Sequence, residues 1–319
     1  MEHADQDATN RNGAAPGRSA TEPVRFGPSP FKGLVVKSEY LLQSVLKYPF
    51  AASCPHCRSA RHELVARKYS VARIVRCMDC GLAFSRPIYR SWLADNFYDG
   101  LYTAGFGTTL PDDAHLDRWL ATGFRDTRRE ADTALEKIRW HAPRPSASLL
   151  EIGCSWGYFL HQARGAGFDV TGVEIGATRR AFGQQRLGLD IVGDLSELPA
   201  GRQYDVVYTS HVLEHFTDLY GVFPRIASAL KKDGVLFIEV PNFDPEQFGS
   251  RCFPVVGAVH PLGFNSEFFR ANLPRHGLTV TGIFARWEDV PDRGVPVPST
   301  DVFVVRAARA PAATARGAD

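Results

Sequence analysis

The chain of 319 residues is long enough for one large or two moderate domains, and its 44% of hydrophobic residues can fill a sizeable core. Its 37 Lys and Arg and 35 Asp and Glu residues leave a formal net charge of +2, which excludes a bulk electrostatic attraction to a polyanion such as RNA or to an acidic membrane surface. No stretch approaches the roughly 18 uninterrupted apolar residues that would span a bilayer, and the first residues lack the apolar run of a signal peptide, so we expect a cytoplasmic protein with no membrane partner.

Composition divides the chain into five segments. Residues 1–30 are rich in Gly, Pro and small polar side chains, and we expect them to be disordered, like the Ala- and Arg-rich tail at 307–319. Residues 31–90 carry paired cysteines among short alternating segments and predict a small β-rich module. A connecting helical segment at 91–145 leads to 146–306, where the pattern changes to strands that alternate with helices.

Two cysteine pairs in the β-rich module have the spacing of a zinc ribbon. Cys54 and Cys57 form one C-x2-C pair, Cys77 and Cys80 form the other, and nineteen residues separate the pairs. Four thiolates would complete a tetrahedral shell and leave no position for water, so the pattern predicts a structural Zn²⁺ ion. Bound iron, a redox-active dithiol and a chance pattern are the alternatives. His56, between the first two ligands, is interpreted as a solvent-exposed spacer, and competition with the cysteines for the metal is the alternative.

Apolar patterning predicts further elements before residue 146. The alternation at 70–76 is typical of a strand that leads into the second cysteine pair. The run at 118–141 has roughly helical spacing and ends before Pro143, so it predicts one connecting helix. The aromatic side chains at 97–102 either cover a ligand or pack in the core.

The alternation after residue 146 implies parallel strands joined by crossover helices. Strands are predicted at 148–152, 169–174, 190–192, 205–209 and 234–240, and two later apolar runs, 278–286 and 300–306, predict an antiparallel hairpin. The predicted fold class is therefore α/β, with a Rossmann-like, mostly parallel seven-stranded sheet, an antiparallel C-terminal hairpin and the small N-terminal zinc ribbon.

A glycine-containing turn follows the first of these strands. Gly153 and Gly157 let the backbone approach a ligand closely at the carboxyl end of the strand, where open α/β sheets bind ligands. Together with Glu151, this turn resembles the first motif of class I methyltransferases, an acidic residue followed by a glycine-rich turn. Ser155 stands where the family most often has its middle glycine, which weakens the match slightly. A dinucleotide is the rival cofactor.

Glu174, at the end of the second strand, can accept hydrogen bonds from both hydroxyls of an adenosine ribose. An exposed strand-end carboxylate is the alternative, and NAD would make the same ribose contact. The segments 191–195, 204–215 and 233–242 decide for the methyltransferase family, because they resemble its third-, fourth- and fifth-strand motifs in order. The resemblance covers 146–306 and implies S-adenosylmethionine as the cofactor.

The resemblance also implies which residues hold the cofactor. Asp194 takes the adenine amino group, Leu195 packs on the adenine ring, and the loop after the fourth strand holds the methionine part. The implied cofactor-binding residues are Glu151, Gly153, Cys154, Gly157, Tyr158, Glu174, Ile175, Asp194, Leu195, Ser210 and His211. Cys154 is interpreted as a small apolar residue of the turn and not as a nucleophile.

The catalytic candidates lie on loops at the carboxyl edge of the sheet. Methyl transfer from a sulfonium needs a general base only when the acceptor is a weak acid such as a hydroxyl, and an imidazole suits that task. His215 is the first candidate, because a histidine at this point of the fourth-strand motif often faces the substrate in the family; bracing the next helix is the alternative. His260 is the second, as a base or as part of a lid. Glu214 and His211 are further candidates.

Three functions fit these features. The first is methyl transfer to a small-molecule or sugar acceptor in bacterial specialised-metabolite or glycan biosynthesis, because the combination of modules is similar to enzymes of that kind; the ribbon would then shape the acceptor pocket or a homodimer contact. The second is methylation of an RNA base, with the arginine-rich ribbon as the RNA-binding element, although no Asn-Pro-Pro-Tyr type loop follows the fourth strand. The third is a non-enzymatic scaffold, against which the intact Glu151, Gly153, Glu174 and Asp194 argue.

Overall fold

The computed structural model of the chain describes residues 30–47, 53–88, 109–244, 252–257, 259–290 and 302–309. Of the segment 1–30 that was expected to be disordered, residues 1–29 lie outside these ranges, as does the aromatic run at 97–102; residue 30 begins a helix. None of the helices in them is both long enough and apolar enough to cross a bilayer.

The strands are numbered in chain order, and the helices are named by their first and last residues. The strands are β1 (His62–Lys68), β2 (Ala72–Cys77), β3 (Ala83–Arg86), β4 (Ser148–Ile152), β5 (Asp169–Val173), β6 (Ile191–Val192), β7 (Tyr204–Ser210), β8 (Leu230–Pro241), β9 (Leu262–Gly263), β10 (Leu278–Phe284) and β11 (Val302–Arg309). The α-helices are Pro30–Leu46, Asp113–Thr122, Asp132–His141, Tyr158–Gly165, Ala177–Leu187, Val222–Ala229, Cys252–Val255 and Ser266–Asn272. Short 3-10 helices lie at Leu195–Glu197, Leu213–His215, Leu273–His276 and Trp287–Asp289.

The larger sheet confirms the predicted architecture. Its seven strands stand in the order β10-β11-β8-β7-β4-β5-β6. Strands β8, β7, β4, β5 and β6 run parallel, whereas β11 and β10 are antiparallel to their neighbours. Because β4 lies between β5 and β7, the strand order reverses at β4, and this is where an open α/β sheet offers a ligand crevice.

The last strand, β11, ends at Arg309, three residues later than predicted. The prediction that the tail is disordered from residue 307 is therefore wrong for residues 307–309. Ala307 is fully buried, and Ala308 pairs with Val235 of β8 on one side and with Thr279 of β10 on the other. Because β11 is bonded along both edges, the low strand propensity of its alanines is overridden.

The predicted connecting helix is two helices. The first, Asp113–Thr122, ends because Gly123 adopts a left-handed conformation with a φ of +63° and donates its N–H to Leu120. Phe124 continues the apolar spacing past this break, which is why periodicity alone joined the two helices. The second helix, Asp132–His141, packs Leu135 and Ile138 into the core.

The N-terminal module differs from the prediction in two respects. The helix Pro30–Leu46 precedes its strands, so it is not β-rich throughout. Its antiparallel sheet β1-β2-β3, in which β2 corresponds to the predicted strand at 70–76, is extended by β9 from the C-terminal half of the chain. The module and the larger domain therefore share one hydrophobic core, in which Phe84 and Leu262 belong to the same buried cluster as Phe268.

Candidate functional site

The turn after β4 forms the floor of the crevice. Gly153, Ser155 and Gly157 have φ angles of +76°, +54° and +86°. The N–H of Gly153 donates to the carbonyl oxygen of Val173 at 2.8 Å, which fastens the turn to β5. A Cβ atom on Gly153 would collide with the side chain of Val212 in the loop after β7. Both the left-handed backbone and the neighbouring loop therefore require glycine at this position.

Glu174 ties the glycine-containing turn to the end of β5. One carboxylate oxygen accepts a hydrogen bond from the N–H of Ser155 at 2.9 Å, and the other accepts from the N–H of Gly176 at 2.7 Å. Glu174 is 5% exposed, so the alternative of an exposed strand-end carboxylate is wrong.

Glu151 is a second buried carboxylate beside Glu174. Its Oε2 atom has no hydrogen-bond partner within the part of the chain that the structure describes. Burial, and then the charge of Glu174, raise the pKa of Glu151 to about 8. Because the two carboxylates lie at the ends of adjacent strands, a cationic ligand beside them would stabilise their ionised forms.

The third side of the crevice follows β6. Asp194 caps the 3-10 helix Leu195–Glu197 and accepts hydrogen bonds from the hydroxyl of Ser196 at 2.6 Å and from its N–H at 2.8 Å. These bonds lower the pKa of Asp194, so the carboxylate is ionised at neutral pH. Ile175, directly after Glu174, is 66% exposed although it is apolar. The crevice therefore offers an acid and apolar surface beside the two buried carboxylates.

The loop after β7 begins with a histidine in a left-handed conformation. His211 has a φ of +52°, and its N–H donates to the carbonyl oxygen of Glu239 at 2.9 Å. Its Nδ1 atom lies 3.3 Å from a carboxylate oxygen of Glu214. Burial lowers the pKa of His211, but the hydrogen bond and the charge of Glu214 outweigh burial, and the pKa is raised.

Glu239 is a site residue that the sequence pattern did not predict. Its Oε2 atom accepts hydrogen bonds from the Ser210 hydroxyl at 2.8 Å, from Trp287 Nε1 at 3.1 Å and from the Tyr208 hydroxyl at 3.2 Å. The available signal was a lone carboxylate inside the otherwise apolar run 235–240 of β8, since a charged side chain in a buried strand is rarely without a partner.

His215 and His260, the two catalytic candidates, form a pair. Their rings meet edge to face with centroids 4.6 Å apart and an interplanar angle of 79°. Nδ1 of His215 hydrogen-bonds to the carbonyl oxygen of Val259 at 3.0 Å, and Nδ1 of His260 to that of Val255 at 3.2 Å. Glu214, 2% exposed, completes the group, and the ligand atoms of the three side chains lie within 4.8 Å of one another.

The four cysteines form a second group. Their sulfur atoms lie within 4.8 Å of one another, with Cys54 and Cys80 at 3.5 Å and Cys57 and Cys77 at 3.5 Å, and all four are free thiols. Gly81, with a φ of +79°, donates its N–H to Cys77 and closes the second turn. The donor set therefore fits the predicted zinc ion by its chemistry and by its convergence.

His56 is buried, so its interpretation as a solvent-exposed spacer is wrong. It is 7% exposed, and its ring packs edge-on against Phe223 and Phe268 with centroid distances of 5.7 and 5.2 Å. Burial, followed by the charges of His276 and Arg275, lowers the pKa of His56 to about 4. A neutral ring among aromatic side chains packs the cysteine turn against the larger domain.

Comparison with known proteins identifies the part of the chain that carries this crevice. A sequence family described as a methyltransferase domain matches residues 124–280. The chain is 29% identical over 137 residues to a ubiquinone biosynthesis O-methyltransferase of Nitrosococcus oceani, covering 40% of this chain and 56% of that protein. It is 30% identical over 125 residues to the enzyme of the same name from Bordetella avium, covering 36% of this chain and 49% of that protein. The chain thus spans about half the length of the curated relatives it matches.

Solved structures of methyltransferases also resemble this chain, at lower sequence identity than these relatives. The structure of 1,6-didemethyltoxoflavin-N1-methyltransferase from Burkholderia thailandensis, with 1,6-didemethyltoxoflavin and S-adenosylhomocysteine bound, is 21% identical, with a TM-score of 0.45 over 73% of this chain and 98% of that one. A TehB-like S-adenosylmethionine-dependent methyltransferase from Corynebacterium glutamicum is 20% identical, with a TM-score of 0.44 over 62% of this chain and 97% of that one.

Proposed function

We propose that this chain transfers a methyl group from S-adenosylmethionine to a small-molecule acceptor, since residues 124–280 match a sequence family described as a methyltransferase domain. The observation that carries the proposal is the pair of buried carboxylates, Glu151 and Glu174, on either side of the glycine-containing turn. S-adenosylmethionine is cationic at its sulfonium and ammonium groups, and a cation beside two buried carboxylates stabilises their ionised forms. When bound, it supplies an electrophilic methyl group.

Different residues around the crevice bind different parts of the cofactor. Glu174 accepts hydrogen bonds from the ribose hydroxyls, and the exposed side chain of Ile175 packs with Leu195 against the adenine. Asp194, ionised and close to the end of β6, accepts from the adenine amino group. The remaining proposed contacts, to the methionine part, come from Glu151, Gly153, Cys154, Gly157, Tyr158, Ser210 and His211.

His215 and His260 face the acceptor and receive its proton. The bonds from each Nδ1 to a backbone carbonyl place the proton on that atom, which leaves the lone pair on Nε2. Burial, followed by the charge of His215, lowers the pKa of His260, so its ring is neutral and can act as a base. Glu214 stabilises positive charge on the pair, because the His residues around it hold its own pKa down against the effect of burial.

The four thiolates hold a structural zinc ion. With all four positions of a tetrahedron filled by Cys54, Cys57, Cys77 and Cys80, the ion has no open position at which an acceptor could bind. Its proposed contribution is to the folding of the N-terminal module.

A hydroxylated small molecule, such as a sugar or a phenol, is the proposed acceptor class. The relatives are named as O-methyltransferases, and a pair of imidazoles suits a hydroxyl whose proton must leave. RNA is disfavoured because arginines of the ribbon are already paired with carboxylates, Arg58 with Asp218 and Arg61 with Asp79. Such pairs compete with phosphate contacts.

The test is a methylation assay with phenols, free and nucleotide-linked sugars, and RNA, read by mass spectrometry of the product and by S-adenosylhomocysteine formation. We expect methylation of at least one hydroxylated small molecule, and none with Glu174→Ala. Methylation of RNA alone would replace the proposal with the alternative, and the absence of any turnover across the panel would count against it.

A further inference from the structure

We propose that the four-cysteine module, residues 53–88, is the positioning element that holds His215 and His260 together at the acceptor side of the site. The inference rests on the proposed role of that histidine pair. It assigns to the module a function beyond its own folding: it clamps the two loops from which the histidines come.

The first clamp holds the segment that follows His215. The N–H of Leu219 donates to the carbonyl oxygen of Pro55, within the first cysteine pair, at 3.0 Å. Arg58, directly after that pair, binds Asp218 at 2.7 Å and places its guanidinium carbon 4.7 Å from the centre of the Tyr220 ring. The chain is therefore held against the first cysteine turn within a few residues of His215.

The second clamp holds the segment that follows His260. The N–H of Ser85 in β3 donates to the carbonyl oxygen of Pro261 at 2.8 Å. The next two residues form β9, in which Leu262 is opposite Phe84 in the antiparallel pairing with β3. Both of these apolar side chains are buried, so the pairing is packed as well as hydrogen-bonded.

A third contact ties the second cysteine turn to the helix that comes after β9. Nδ2 of Asn272, which is fully buried, donates to the carbonyl oxygen of Cys80 at 2.8 Å and to that of Phe268 at 2.7 Å. The amide thereby links a metal-ligand residue to the element that anchors the far end of the His260 loop.

These contacts set the distance between the histidines. The two loops touch where Nδ1 of His215 meets Val259, and each is separately fastened to the same module, one at the first cysteine pair and the other at β3. With a zinc ion bound, the four cysteines would be held at fixed positions, and the module would keep the two loops at one spacing. Misplacement of a catalytic group by about 1 Å can cost on the order of a hundredfold in rate, which makes such a frame consequential.

None of the residues proposed to bind the cofactor takes part in the clamps. The first clamp attaches at residues 218–220, beyond the proposed cofactor contacts Ser210 and His211, and the second attaches at residues 261–262. Loosening the module should therefore affect the acceptor step and leave cofactor affinity nearly unchanged, which separates a positioning role from general support of the fold.

The first experiment withdraws zinc from the full-length protein with a chelator and follows zinc content, circular dichroism, S-adenosylmethionine affinity and turnover together. We expect turnover to fall at least tenfold in proportion to zinc release, while the helical signal is retained and the dissociation constant changes less than about twofold. Full turnover in folded, metal-free protein would overturn the inference. Parallel loss of cofactor affinity and turnover would also overturn it, because the module would then only support the fold.

The second experiment compares Arg58→Ala with Arg61→Ala, a matched control whose ion pair with Asp79 lies within the module. Both pairs are exposed, so neither variant should unfold the protein. We expect Arg58→Ala to lower turnover about three- to tenfold with unchanged cofactor affinity, and Arg61→Ala to do neither.

Nuclear magnetic resonance of ¹⁵N-labelled histidine supplies a readout that does not depend on turnover. The ring signals of His215 and His260, assigned with single glutamine variants, should shift in Arg58→Ala and stay in place in Arg61→Ala. Unchanged ring signals in Arg58→Ala would overturn the inference, even if the protein methylates none of the acceptors tried. Shifted signals without any turnover would instead contradict the proposed function and retain the clamp.

Discussion

Glu151 and Glu174 lie at the ends of two adjacent parallel strands, and burial, followed by the charge of Glu174, raises the pKa of Glu151 to about 8. Two buried carboxylates so close together oppose each other's ionisation. A crevice of this kind favours binding of a cation, and the protonation state of Glu151 should change when the cation binds.

Cofactor binding should therefore release protons. Without ligand, Glu151 is largely protonated below pH 8, and a sulfonium in the crevice stabilises the carboxylate and lowers its pKa. At any pH between the lowered pKa and about 8, cofactor binding therefore releases a fraction of a proton per molecule bound. Calorimetry of S-adenosylmethionine binding at pH 7 in buffers with different ionisation enthalpies measures the release. Glu151→Gln should abolish it, and an unchanged release in that variant would assign the proton to another group.

Gly153→Ala should weaken cofactor binding. The alanine must adopt a φ of +76°, and its Cβ atom would collide with the side chain of Val212, so the turn or the loop has to move. We expect at least a tenfold rise in the dissociation constant and a loss of roughly 1–3 kcal/mol of unfolding free energy. Gly165→Ala is the matched control, because its Cβ points into open space at the end of a helix. Equal effects of the two substitutions would contradict the role given to the turn.

His215→Gln and His260→Gln should each reduce turnover roughly a hundredfold, because the proposed base contributes about that much to proton removal from a hydroxyl. Steady-state kinetics and cofactor calorimetry on the same preparations separate chemistry from binding, and S-adenosylmethionine affinity should be unchanged. Loss below tenfold in both variants would mean that the acceptor needs no base from this pair.

Asp205 should support the fold from the opposite end of the sheet. Burial favours its protonated form, but hydrogen bonds from Lys231 and Ser148 outweigh burial and lower its pKa to about 2. A lowered pKa gives stability that is present above the unfolded value near 4 and is lost as the pH falls from there towards 2. Asp205→Asn should cost roughly 1–3 kcal/mol at pH 7, measured by urea unfolding. The exposed Asp113→Asn serves as the control, and its bridge to Arg186 should contribute little.

The sheet was predictable, and the proposed cofactor-binding residues could be placed on it, because their signals are local. The strand that contains Glu151, the turn at Gly153 and the acidic residue at 174 occupy short segments whose spacing already implies their positions in a parallel sheet. Local signals failed where a single backbone conformation intervened, as at Gly123, which divides the predicted connecting helix. They also failed where neighbours impose structure, as along the alanines of β11.

Contacts between distant segments could not be predicted from the pattern. His215 and His260 were separate alternatives in the sequence, and only the folded chain brings their rings to 4.6 Å. The pairing of β3 with β9 depends on two residues at Leu262–Gly263, too few for an alternation to be seen. The burial of His56 depends on Phe268 from the C-terminal half, which no spacing near the cysteines could reveal.

The most direct test of the cofactor assignment is calorimetric titration of S-adenosylmethionine into the wild-type protein, Glu174→Ala and Asp169→Ala. Asp169 is the control, since it is an exposed carboxylate at the other end of the same strand. We predict one binding event per chain in the wild type. The dissociation constant should be at least tenfold higher in Glu174→Ala, which is equivalent to about 1.4 kcal/mol, and unchanged in Asp169→Ala. Absence of binding heat in the wild type, or equal affinity in the wild type and Glu174→Ala, would contradict the assignment.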